Sequence, residues 1–263
     1  MNRYLLLLLF PLLALACGDT TTANVDSTPD PVTSVKPPVT RPAKAKMTPV
    51  FHAAVVLEYD DQTIFVDPYD KPAKFAAFGK PDLVLITHTH QDHFNREVLA
   101  ALDLSGATLI GPAAVVEQAA DLGFDKITVL KNGERVEMGD MAVDAVAAYN
   151  LPPAEDAFHP PGKFNGYVLT LGDERFYFSG DTEDVDEMRA LRNIDYAFVC
   201  MNQPYTMEVA AAADAVLDFK PRVVYPYHYR NGDGSFMDTE EFAGLVRAGD
   251  KTIEVRVLDW YKE

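Results

Sequence analysis

The chain has 263 residues, with 40 acidic side chains against 23 lysines and arginines; the resulting net charge of −17 argues against a surface built to hold a nucleic-acid backbone. Two cysteines cannot staple a disulfide-held scaffold, so stability must come from a buried core, and a 48% hydrophobic chain of this length can supply one.

The N-terminus reads as an export signal. Met1-Asn2-Arg3-Tyr4 carries one positive charge and leads into the apolar run of residues 5–16, which is too short to span a membrane comfortably and ends in small residues. Leu13-Ala14-Leu15-Ala16-Cys17-Gly18 resembles a bacterial lipoprotein signal, although Ala14 stands where a leucine is usual. The expectation is a signal peptide over 1–16 and a lipid anchor on Cys17, which places the protein in the cell envelope on the periplasmic or cell-surface side. An ordinary signal peptide cut near Ala16 is the alternative. Residues 17–47 are rich in Pro and Thr and lack apolar periodicity, the composition of an extended tether. The folded domain is expected over 48–263.

Its first elements are β-rich. Residues 50–59 and 63–66, joined by Asp60-Asp61-Gln62, predict a hairpin, and Asp67 ends the second strand before Pro68. A carboxylate there is placed to orient a neighbouring imidazole. His52 reads equally as such a support or as a core histidine. Next, Leu83-Val84-Leu85-Ile86 predicts a strand covered on both faces, and it runs directly into His88, His90, Asp92 and His93. Imidazoles and a carboxylate this dense need a partner that accepts several N and O donors, which a divalent transition metal is. His88 and His90 can chelate one ion, while Asp92 and His93 project differently and can serve a second.

Helices are expected over 95–102 and 112–122, with strands at 108–111, 127–130, 134–138, 142–147, 167–171 and 175–179. Asp181 follows the last of these. Cys200 follows Tyr196-Ala197-Phe198-Val199 and reads as a buried strand residue, and His228 ends the strand 223–227. A helix is expected over 239–246, and residues 233–237 are candidates for shaping specificity. Repeated termination of strands in metal-capable side chains points to one cleft at a common sheet edge, in a mixed-sheet sandwich clad by helices.

With these residues in place, the chain resembles the metallo-β-lactamase superfamily: the strand-ending Asp67, the HxHxDH motif from His88 to His93, Gly180-Asp181-Thr182, and His228. Within it, His52-Ala53, Asp67-Pro68 and Tyr225-Pro226-Tyr227-His228 are similar to the branch holding ascorbate-phosphate lactonases and N-acyl-phosphatidylethanolamine phospholipase D. The resemblance implies an α/β fold, the four-layer αβ/βα sandwich, and two zinc ions, with manganese or iron as substitutes. His88 and His90 would serve one ion, Asp92, His93 and His228 the other, with Asp181 between them. Where the family has a further histidine this chain has Tyr149-Asn150, so the first ion is completed either by Asn150 or by His159; the imidazole is the better zinc donor.

His90 stands where redox di-iron relatives carry a carboxylate, which favours hydrolysis. A shared water, acidified by the two dications and oriented by Asp92, would attack a phosphodiester, lactone or amide. Tyr205, Tyr227 and Tyr229 are candidates to assist the leaving atom or simply to line the cleft. A small-molecule or lipid-derived substrate fits this chemistry. A non-catalytic metal- or partner-binding lipoprotein is the alternative that the Asn150 departure keeps open. A nuclease ranks lower against the acidic surface.

Overall fold

The computed structural model describes residues 44–262. The expected signal, Cys17 anchor and most of the tether lie outside the described residues. The first strand, β1 (Lys46–Phe51), begins two residues before the expected start of the domain at Thr48, with Lys46 and Met47 registered against Glu58 and Leu57.

Two sheets carry the fold. In the first, β1, β2 (Ala54–Tyr59) and β3 (Gln62–Val66) form an antiparallel meander, and β4 (Leu83–Leu85), β5 (Thr108–Gly111) and β6 (Lys126–Val129) continue from β3 in parallel. The second repeats this plan. Here β7 (Arg135–Met138), β8 (Met141–Ala148), β9 (Phe164–Leu171) and β10 (Glu174–Phe178) are antiparallel, and β11 (Tyr196–Cys200), β12 (Val223–Tyr227) and β13 (Glu254–Val255) follow in parallel. Parallel neighbours require crossovers. Helices α1 (Arg96–Ala100) and α2 (Ala113–Ala119) supply them in the first sheet, and α3 (Asp186–Arg189), α4 (Val209–Phe219) and α5 (Thr239–Gly249) in the second.

Side-chain alternation along the strands splits the core. Val55, Leu57, Ile64, Val66 and Leu85 join the second sheet in one apolar cluster, whereas Val56, Phe65, Val84 and Ile86 face Val98, Leu99 and Val115 of α1 and α2 in another. Both faces of each sheet are thus covered, giving the expected αβ/βα sandwich. This is also why β4 reads as an unbroken apolar run rather than an alternating one.

The expected strand over 50–59 is in fact two. Phe51 pairs with Ala54 across a tight turn at His52-Ala53, and His52 takes a left-handed backbone at φ 59°. Neither residue is a turn former, so the apolar pattern runs on through the reversal. Its geometry is imposed from a distance: the His52 N–H donates to the Trp260 carbonyl at 3.2 Å. The Asp60-Asp61 turn forms as expected, with Asp60 at φ 48°. Helices α3 and α4 and strand β13 are additional to the elements expected from the sequence.

Candidate metal centre

All six histidines of the chain meet at one end of the two sheets, where β3, β4, β10 and β12 deliver their C-terminal residues. Asp67 follows β3 with φ 44°, and its carboxylate accepts from the Thr87 N–H at 2.8 Å and the Thr87 hydroxyl at 2.7 Å. The same Oδ2 lies 2.7 Å from His93 Nδ1. Because Asp67 only accepts, His93 carries its proton on Nδ1 and turns Nε2 toward Asp181 Oδ1, 3.2 Å away. Asp67 therefore does what its position at a strand end suggests.

Thr87 extends this wiring to the next imidazole. Its hydroxyl hydrogen is committed to Asp67, so toward His88 Nδ1, at 2.9 Å, it can only accept. That fixes the hydrogen of His88 on Nδ1 and leaves Nε2 as a lone pair. His159 is oriented in the same sense from the β8–β9 loop. Asn150 Oδ1 lies 3.1 Å from His159 Nδ1, while the Asn150 side-chain N–H donates to the Tyr205 carbonyl at 2.7 Å, which settles which end of the amide faces the histidine. Of the two alternatives for the family's missing histidine, His159 is the one that joins His88 and His90, with one ligand-type atom of each residue within 4.8 Å of the others. Asn150 orients it.

His88, His93 and Asp181 form a second such group, and His52, Asp92 and His228 a third. The groups merge: His228 Nε2 lies 3.3 Å from both Asp92 Oδ2 and Asp181 Oδ1, and His159 Nε2 lies 3.5 Å from Asp181 Oδ2. His52, left open by its sequence position, places Nε2 3.2 Å from Asp92 Oδ2 and Nδ1 3.0 Å from the Tyr261 hydroxyl. His228 sits at φ 48°, and its N–H donates to the His52 carbonyl at 3.3 Å. Left-handed backbone at three non-glycine positions of one site marks strain held in place by surrounding bonds.

The electrostatics follow from crowding. Burial and the neighbouring His93 drive the His88 imidazolium well below the usual histidine range, and burial takes His52 and His159 down to about 4. For His93 burial acts in the same direction, but the Asp181, Asp67 and Asp92 carboxylates outweigh it and raise the group well above its ordinary value. Burial pushes the Asp92 and Asp181 carboxyls up, yet the surrounding imidazoles prevail and hold both well below the carboxylate range.

A buried polar atom without a hydrogen bond is costly, and here several share one spot with only charge contacts to one another: Nε2 of His88, His93, His159 and His228, with Asp181 Oδ1. Four imidazole nitrogens around a carboxylate make a donor set that, with His93 giving up its Nε2 proton, suits a divalent transition metal. The seven residues expected to ligate, His88, His90, Asp92, His93, His159, Asp181 and His228, are therefore all brought together. His90 and Asp92 face a cavity of about 530 Å³ that Phe158, Tyr205 and Arg230 also line. Of the three candidate tyrosines only Tyr205 lines it; Tyr227 is buried and accepts from the Gly180 N–H at 3.0 Å, and the Tyr229 hydroxyl donates to the Leu258 carbonyl at 3.3 Å.

Trp260 was not legible as part of this region. It is fully buried, its indole N–H donates to the Pro226 carbonyl at 2.8 Å, and its own carbonyl holds His52, so it ties the C-terminal segment behind both left-handed histidines. The only sequence signal for it is that it is the chain's single tryptophan.

Comparison with known proteins agrees with this geometry. The family model of the beta-lactamase superfamily domain matches residues 46–228. A UPF0173 protein of Pyrococcus furiosus is 33% identical over 73% of this chain and 85% of its own length, and a UPF0173 metal-dependent hydrolase of Pyrococcus horikoshii is 31% identical over 79% and 93%. Among solved structures, a candidate metal-dependent hydrolase from Parabacteroides distasonis is similar with a TM-score of 0.70 and 36% identity, covering 83% of this chain and 94% of that one. The fold, the histidine-rich strand ends and these relatives agree: the chain belongs to the metallo-β-lactamase superfamily and is a metal-dependent hydrolase.

Proposed function

We propose that this protein is an exported hydrolase working with two zinc ions, one held by His88, His90 and His159 and the other by Asp92, His93 and His228, with Asp181 between them. The observation that carries the proposal is the convergence on Asp181, which lines an open cavity, of buried imidazole nitrogens that make no hydrogen bond. When bound, the ions supply Lewis acidity toward a water and toward the oxygen that gains charge as the scissile bond breaks.

The chain's own residues supply the rest. Asp67 and Thr87 hold His93 and His88 with Nε2 toward the centre. Asp92, its side chain 34% exposed, is braced through Oδ2 by His52 and His228 and presents a carboxylate to the cavity that can orient the attacking water. Tyr205 is the tyrosine placed to meet a leaving atom. The Asn150 departure that favoured a non-catalytic binder loses its force, because His159 takes the vacant role.

The bond cleaved is a phosphodiester, lactone or related ester or amide, in keeping with the resemblance to lactonases and N-acyl-phosphatidylethanolamine phospholipase D. A small or lipid-derived substrate fits an anchor at Cys17, which the N-terminal pattern alone supports, and the charge of −17 supports the absence of a nucleic-acid partner. The test is elemental analysis of the purified protein followed by turnover of phosphodiesters, lactones and β-lactams. About two zinc ions per chain and turnover of one class, lost on chelation and restored by zinc, is the expected result. Two tightly held ions with no turnover on any class would refute the hydrolytic part.

A further inference from the structure

Among the described residues, Arg230 is the one lysine or arginine lining the cavity. Its neighbours along the chain are tied down. Asn231 donates from its backbone to the Ser235 carbonyl at 2.8 Å, Met237 to the Tyr229 carbonyl at 2.8 Å, and Gly232 to the Gln203 carbonyl at 3.0 Å. A Cβ at Gly232 would lie 2.8 Å from the Tyr205 hydroxyl oxygen and displace that ring, so the glycine lets the two segments approach. The Arg230 N–H donates to the Tyr261 hydroxyl, at 3.1 Å, which also contacts His52.

The guanidinium stacks over two rings, with its carbon 5.2 Å from the Tyr261 centroid and 5.6 Å from that of Phe51. Aromatic faces orient an arginine without using its N–H donors. Among the described residues no carboxylate lies within ion-pair distance of it. Lys74, which also sits over Phe51, is by contrast paired with Asp70 at 2.9 Å. Asp92 and Arg230 both line this cavity. In a chain with a charge of −17, a cation held by rings, with no acidic partner among the described residues and in the same cavity as Asp92, is placed for an anion that arrives from outside.

We propose that Arg230 is a specificity-determining residue that binds an anionic group of the substrate, a carboxylate or phosphate set apart from the scissile bond. The inference rests on the hydrolase reading only for where that bond lies. Charge-assisted binding of this kind changes affinity by roughly ten- to a hundredfold.

The test uses zinc-loaded protein and matched lactones: a neutral parent, the same compound with a remote carboxylate, and the same with a remote phosphate. Binding is read by calorimetry and, where turnover occurs, as kcat/KM. The wild type is expected to favour a charged member by about tenfold or more. Arg230→Gln should erase that preference by acting on the charged member alone, with zinc content unchanged, and Arg230→Lys should restore part of it. The carboxylate and phosphate arms identify the group. Equal binding of charged and neutral members by the wild type, or an equal loss on both in Arg230→Gln, would overturn the inference. Absence of turnover with the binding preference intact would count against the hydrolase reading and leave the role of Arg230 standing.

Discussion

Asn150 and His159 close one loop from both ends: the Asn150 N–H donates to the His159 carbonyl at 2.9 Å, and Asn150 Oδ1 accepts from the His159 N–H at 2.8 Å. Asn150 thus holds the backbone of His159, the residue proposed as a ligand of the first ion. Asn150→Ala should leave the fold intact but weaken the first ion by roughly ten- to a hundredfold, the usual effect of losing a partner that orients a ligand. Asn150→Asp keeps the acceptor toward His159 but loses the N–H that donates to the Tyr205 carbonyl, so it should retain part of the affinity. Competition with a chromogenic chelator reads both, and an alanine variant that held two ions as tightly as the wild type would remove Asn150 from the site.

Asp67 is fully buried, and three donors converge on it: the Thr87 N–H, the Thr87 hydroxyl and His93 Nδ1. Asp67→Ala strands all three and should cost about 3 kcal/mol or more of folding stability. Asp67→Asn keeps one acceptor oxygen but turns an amide N–H toward donors, so a smaller loss of about 1–3 kcal/mol is expected. Urea unfolding measured without metal isolates this structural effect, and zinc content then reports the lost orientation of His93. Unchanged stability in both variants would contradict the bonding scheme.

Cys200 offers a test of burial. Its thiol has no exposed surface, and burial, with the Asp181 charge second, pushes it up to about 12. In an unfolded chain a cysteine ionises near 8.5. A raised folded value means that stability is full below about pH 8.5 and falls as pH rises toward the folded value, because only the unfolded chain gives up the proton, at roughly 1.4 kcal/mol per pH unit. The Cys200 peptide, followed by mass spectrometry, should stay unalkylated by iodoacetamide at pH 8 in the folded protein and react fully in denaturant. Stoichiometric labelling of folded protein would show the strand to be open.

The residues legible in the sequence are those whose chemistry is local. His88, His90, Asp92 and His93 follow one buried strand within six positions, and Asp67, Asp181 and His228 each stand just after a strand, so composition and spacing expose them. His159 could be offered only beside Asn150, because the path of a loop is set by contacts the sequence does not spell out. The support from Trp260 and the cation at Arg230 were hidden for a stronger reason. Each depends on segments far apart in the chain, β1, β12 and the C-terminal residues, meeting behind one histidine pair. The turn at His52 was hidden for the same reason, its left-handed backbone being held by a carbonyl more than two hundred positions away.

Metal removal tests the whole centre at once. Imidazole nitrogens that lack partners when buried gain them from an ion, and an ion held only by the folded state stabilises it by mass action, by about 4 kcal/mol at a thousandfold excess over Kd. In a domain of this size each kcal/mol moves Tm by about 2–4 °C, so zinc added to chelator-treated protein should raise Tm by roughly 8–16 °C. His159→Ala, which spares Asp92, His93 and His228, should show a smaller rise, since one of the two ligand groups remains complete. Calorimetric scans with and without zinc decide the matter: identical Tm values would mean that the converging imidazoles hold no ion, and the orientations set by Asp67, Thr87 and Asn150 would need another explanation.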